Sequence, residues 1–296
     1  MPMSPAFDRF VAPARTRPAL WRIGVGLLIV FMVMLVWVVI LFGGVWLWGG
    51  FDFVQTLLPE MAESDTPRGT LILLATFVGM ALGTVAAARL LHKRGTATLF
   101  GPGPGFGRDF AWGVGTIAVV FALSSLIFGA VGDAPEPNLY IGLWLKLLIP
   151  ALILVLIQTG AEEMLFRGYL MQQIAARCPV AAVYIVVPAV IFGALHFDPT
   201  TGGGNAWMIA GAAGVFGLVA ADLTRVTGSL AVAWGLHFAN NVAAILVMAT
   251  QGTITGLALF VTPFAADDTA ALRPLILLDA AVLLAIWAFL RWRLAR

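Results

Sequence analysis

The chain has 296 residues, of which 61% are hydrophobic and only 11% charged, with a mean hydropathy of +0.98. That much apolar surface exceeds what a soluble core of this size buries, so a soluble, nuclear or disulfide-stapled secreted protein is excluded and a membrane protein is expected. The single cysteine, Cys178, permits no internal disulfide and no Cys-rich metal site, and a net charge of +2 gives no footprint for nucleic acid.

A span needs about 20 apolar residues, and the sequence offers about eight such stretches. After a short segment bearing Arg9, Arg15 and Arg17, the first runs from Ile23 to Trp48, too long for a signal-peptide core, and is read as an uncleaved span. The others lie at about 70–91, 110–131, 141–176, 180–197, 206–224, 228–250 and 274–290. Gly101-Pro102-Gly103-Pro104-Gly105 and Gly202-Gly203-Gly204 mark loops between them, and the piece from Gly95 to Arg108 is expected along the inner surface without forming a regular amphipathic helix. Gly211, Gly214 and Gly217 are expected to let helices approach closely.

Assigning alternate loops inward gathers Arg9, Arg15, Arg17, Arg22, Arg89, Lys93, Arg94, Arg108, Arg177, Arg225, Arg291, Arg293 and Arg296 on one side. The opposite loops carry Asp52, Glu60, Glu63, Asp65, Asp133, Glu136, Asp198, Asp267 and Asp268 against Arg68 and Arg273. Both termini are then cytoplasmic, in a bacterial inner membrane.

Ionisable groups inside hydrocarbon cost several kcal/mol each, so they mark partners, cavities or function. They concentrate in three spans: Glu162, Glu163 and Arg167 in the fourth, His196 at the end of the fifth, and His237 with Asn241 in the seventh. Glu163 and Arg167 are four apart and share a helix face as an ion pair. Glu162, turned by about 100°, points away from Arg167 and has no cation of its own. His237 and Asn241 are again four apart, and Phe192 sits one turn from His196 to fix its ring. Elsewhere, Lys146 reaches an interface, Asp222 pairs with Arg225, and Asp279 has no evident partner.

The ordered trio EExxxR, FxxxH and HxxxN on successive spans, with Phe166-Arg167-Gly168, resembles the CPBP (ABI) family of intramembrane proteases, which includes the type II CAAX prenyl endopeptidases. The likeness covers Tyr140 to Val247 and implies an all-α polytopic fold with a catalytic cavity inside the bundle. It carries the family's site onto Glu162, Glu163, Arg167, His196, His237 and Asn241. The chain then divides into a cytoplasmic segment 1–22, a three-span region 23–139, a catalytic region 140–250, and a loop with a C-terminal span over 251–296.

Peptide hydrolysis needs an activated water, oxyanion stabilisation and a proton for the leaving amine. No GxSxG motif is present and Cys178 is remote from the polar residues, so water is the nucleophile. Glu162 is read as general base and then acid, His196 as holding the water, His237 and Asn241 as oxyanion donors, and Arg167 as the anchor of Glu163. This reading requires no cofactor. The alternative is a His₂Glu zinc site of Glu162, His196 and His237 with Glu163 as base, although HExxH is absent.

The expected activity is an intramembrane endopeptidase acting on a membrane-associated protein or peptide in CAAX-type or bacteriocin-type processing. A transporter or a non-catalytic scaffold or immunity protein is the alternative. Counting from the basic side puts Glu162 about 22 Å, His196 about 27 Å, His237 about 18 Å and Asn241 about 24 Å deep. The fourth stretch, at about 37 residues, overruns the bilayer and calls for a break near Pro150 or Gly160. The side to which the site opens is left undecided by these counts.

Overall fold

The computed structural model describes residues 3–103, 105–131 and 134–294; Pro104, Asp133 and Arg296 of the assignments above lie outside them. In chain order come α1 (Pro5–Val11), α2 (Trp21–Glu63), α3 (Pro67–His92), α4 (Ala97–Phe100), α5 (Phe106–Val131), β1 (Glu136–Pro137), α6 (Ile141–Glu163) and a π-helical segment (Met164–Met171). Then follow α7 (Gln172–Arg177), α8 (Ala181–Ala194), α9 (Pro199–Gly202), α10 (Ala206–Thr227), α11 (Ala231–Val242), a second π-helical segment (Ala243–Val247), β2 (Met248–Gln251), β3 (Phe260–Ala265) and α12 (Thr269–Leu294). Among the described residues, 6 helices are long and apolar enough to cross a membrane, and Ala181–Ala194 and Ala231–Val247 are shorter apolar helices. The polarity is inverted relative to a soluble domain: Leu47 and Trp48 are 82% and 83% exposed, whereas Glu163 and Arg167 are 0% and 1% exposed. The molecule is an all-α polytopic membrane protein with a small sheet at one end.

Three features correct the sequence expectations. The first span does not stop at Trp48: α2 kinks at Gly50, whose φ of 79° suits glycine, and continues to Glu63. Asp52, Glu60 and Glu63 made this arm read as loop. The fourth stretch has no break at Pro150 or Gly160. Gly160 instead gives room to Trp234, whose ring a Cβ would meet at 2.8 Å, and the irregularity comes later as π-helix. Residues 248–250 leave the seventh span as β2, which runs parallel to β3, with β1 antiparallel on the other side of β3. The piece after Gly95 is exposed or half-buried except at Leu99 of α4, which is fully buried and whose carbonyl would meet a Cβ at Gly168 at 2.6 Å.

Small residues set the spacing around the site. A Cβ on Gly193 of α8 would come within 2.7 Å of the Ala210 carbonyl oxygen of α10, and one on Gly217 within 3.0 Å of Ala189. Gly211 meets nothing within 4 Å, so it is not part of this contact as expected, and Gly214 touches only at van der Waals distance. The two ends of the bundle are chemically distinct. At one, Arg22 donates to the Leu91 carbonyl (3.1 Å), the Arg17 carbonyl meets His92 (3.1 Å), Ser4 donates to the Arg225 carbonyl (3.4 Å), and Arg293 lies 5.1 Å over the Trp112 ring. At the other, Asn138 donates to Thr255 (2.9 Å) and Asn205 to the Ala266 carbonyl (2.9 Å), tying the sheet to the loops. The basic loops thus share one end, as the alternate-loop assignment requires.

Candidate active site

The site begins where α6 passes into π-helix. A π turn widens the backbone ring and is frequent at functional sites; here it directly follows Glu162 and Glu163. The expected pair forms across this junction, Arg167 Nη1 lying 2.9 Å from Glu163 Oε1, with both side chains essentially inaccessible. Arg167 also donates to the Gly217 carbonyl of α10 (3.3 Å), and its guanidinium carbon stands 5.0 Å over the Phe192 ring. Two buried charges persist in such a place because each is paired and the remaining N–H groups find acceptors or aromatic faces.

Glu163 Oε1 is shared. His237 Nδ1, from α11, lies 2.9 Å from it. A carboxylate only accepts, so Nδ1 carries the hydrogen and Nε2 is turned the other way. Nε2 stands 3.3 Å from Glu162 Oε2, which has no aligned hydrogen-bond donor among the described residues. Glu162 therefore does have a basic partner, contrary to the sequence expectation, because tertiary packing supplies from α11 what its own helix lacks. The result is a continuous chain from Arg167 through Glu163 and His237 to Glu162. Glu162 keeps 8% exposure and Glu163 none, so solvent reaches the first of the two carboxylates.

Asn241 donates through Nδ2 to Gln158 Oε1 (2.9 Å), and its own Oδ1 accepts from Asn240 (3.3 Å). Gln158 escaped the sequence reading. The signal was present, since it is a polar residue four positions before Glu162 in an apolar run and is only 6% exposed. His196 lies in the turn that follows α8, which ends at Ala194. Its Nδ1 is 2.8 Å from the Phe192 carbonyl, and its ring centroid is 4.5 Å from that of Phe192, the contact expected from their spacing. The His237 ring lies 5.9 Å from the same phenyl ring.

A cavity of about 600 Å³ is lined by His196, His237, Asn240 and Asn241, while Glu162 and Glu163 are not among its lining residues. Its other walls come from α5, α10, β2, β3 and α12, so elements outside 140–250 complete it. His237 stands between the cavity and the two glutamates. Among the described residues no three His, Cys, Asp or Glu side chains converge as a metal-ion site. Glu162 and His237 face each other, Nε2 of the imidazole 3.3 Å from Oε2 of the carboxylate, while His196 turns its Nδ1 to the Phe192 carbonyl.

Residues 142–243 match the model of the type II CAAX prenyl endopeptidase Rce1-like family, an interval that contains all six expected site residues. The uncharacterized protein YyaK of Bacillus subtilis (strain 168) is 36% identical over 115 residues, which is 37% of this chain and 37% of that protein. No solved structure matches the chain. With the motifs, the buried acid and imidazole pair and this match falling on the same helices, residues 142–243 are similar to the Rce1-like segment of type II CAAX prenyl endopeptidases.

Proposed function

We propose that the protein is an intramembrane endopeptidase in which Glu162 activates a water against a peptide bond of a membrane-associated protein or peptide. The observation that carries this reading is the connected chain Arg167–Glu163–His237–Glu162 at the edge of the cavity. His196 donates from Nδ1 to the Phe192 carbonyl, which leaves Nε2 as an acceptor that can hold and orient the water. Glu162 takes one proton as the water oxygen bonds to the carbonyl carbon. The carbonyl π electrons become the oxyanion, which the second amide hydrogen of Asn241 meets, its first being fixed on Gln158. Glu162 then returns the proton to the leaving nitrogen as the C–N bond breaks. His237, oriented by Glu163, shares the proton with Glu162 through Nε2 and buffers its charge.

In this reading residues 140–250 are the catalytic region, the basic end faces the cytoplasm of a bacterium, and both termini lie there. The processing is of CAAX type or of bacteriocin type. The test is mass spectrometry of peptides incubated with the detergent-solubilised full chain. Glu162→Gln keeps the shape and removes the base, and a loss of about 10²–10⁴-fold in kcat is expected. Dialysis against a chelator is expected to leave the wild-type rate unchanged. Equal cleavage by Glu162→Gln, or one zinc per chain whose removal abolishes activity, overturns the glutamate mechanism.

A further inference from the structure

Asp279 stands apart from everything the mechanism uses. It lies within the apolar α12, outside the segment matched by the family, and it makes no hydrogen bond or ion pair among the described residues. A carboxylate inside a span requires a partner, a water-filled cavity or a function. The sequence contains other such groups, and each has found its partner: Asp222 is 2.7 Å from Arg225 and also accepts from Arg291 and Trp287, and Glu163 holds Arg167. Asp279 has instead the cavity, the same one that His196, His237 and Asn241 line. It is the only acidic residue among the described residues that line it.

The surroundings restrict what such a group can bind. On α12 the cavity is walled by Leu275, Leu278, Val282 and Leu283, and on α5 by Val120 and Phe121. Helix α5 packs on α11, and α12 on α10. The outer pair meet at the basic end through Trp112 and Arg293, and the cavity parts them farther along, where Ser124 and Asp279 lie. An extended apolar chain fits between such walls, and a lone anion among them selects one cation along that chain. The histidines and asparagines opposite do not neutralise it by contact.

We propose that Asp279 forms an acidic subsite that receives a basic side chain, lysine or arginine, of an otherwise apolar peptide substrate bound at the Glu162 centre. The choice of substrate class rests on the endopeptidase reading above, whereas the subsite itself is a binding property. Pairs of fluorescent apolar peptides, identical except for one lysine or glutamine, would be titrated against the full chain in nanodiscs. The chain would carry Glu162→Gln to prevent turnover, and the variable residue would be walked along the peptide.

In at least one register the lysine peptide is expected to bind about tenfold more tightly than its glutamine twin, and Asp279→Asn is expected to abolish that ratio while leaving the glutamine peptide's affinity unchanged. Asp279→Glu, which keeps the charge, retains the preference. A lysine advantage in no register, or one that survives Asp279→Asn, overturns the subsite. If the preference holds and disappears as stated but wild type cleaves neither peptide, the subsite stands and the hydrolase reading falls.

Discussion

At the scale of single residues, the chemistry depends on how each polar side chain is held. In the proposed mechanism Asn241 serves as oxyanion donor only if its amide points correctly, and Gln158 at 2.9 Å is what points it. Gln158→Leu fills a similar volume without the acceptor, so Asn241 is expected to lose its orientation while substrate contacts elsewhere persist. The expected result is a kcat lowered by about 10–10²-fold with KM within about twofold, since an interaction realised only in the transition state affects kcat. Steady-state kinetics on one peptide checks this; a raised KM with unchanged kcat would make Gln158 a ground-state contact. The i, i+4 relation of Glu163 and Arg167 was legible from spacing because both ends of that contact lie on one helix. That His237 bridges both glutamates was not legible, because residues 74 positions apart meet only through packing.

Elements were read with uneven success for identifiable reasons. Long apolar runs announce spans whatever their neighbours, so α3, α5, α10 and α12 lie close to their expected places. The π segments do not announce themselves, since the same residues suit an α-helix. Strand β2 was hidden because Met248 and Ala249 continue the apolar run of α11. Close helix approach was readable only as a class of residue: of the glycines flagged in α10, Gly217 meets α8 tightly and Gly211 meets nothing, while Gly193 on α8, which was not flagged, makes the tightest contact of the set. Gly193→Ala places a Cβ 2.7 Å from the Ala210 carbonyl, so α8 must move away and carry Phe192 and His196 with it. A loss of about 1–3 kcal/mol in stability is expected, with reduced activity. Gly211→Ala serves as the matched control and is expected to change neither; thermal unfolding in detergent reads both.

For the whole molecule, the question is which side of the membrane supplies the substrate. The cavity runs from His237 toward Thr250, Thr262 and Phe264 of the sheet, away from the end where Arg22, Arg225 and Arg293 gather. Cytoplasmic loops hold the basic residues, so the proposed orientation makes the cavity open on the outer face. Cysteine accessibility decides the matter in intact spheroplasts. Native Cys178 follows α7 at the basic end, and a membrane-impermeant maleimide is expected to label it only after permeabilisation. With Cys178→Ser in place, Thr200→Cys, exposed on α9 at the sheet end, and Thr262→Cys, inside the cavity, are both expected to react in intact cells. Labelling of Cys178 from outside would invert the molecule. Labelling of Thr200→Cys but not Thr262→Cys before permeabilisation would mean that the cavity is reached from the cytoplasm, and substrates delivered to the outer face would then be ruled out.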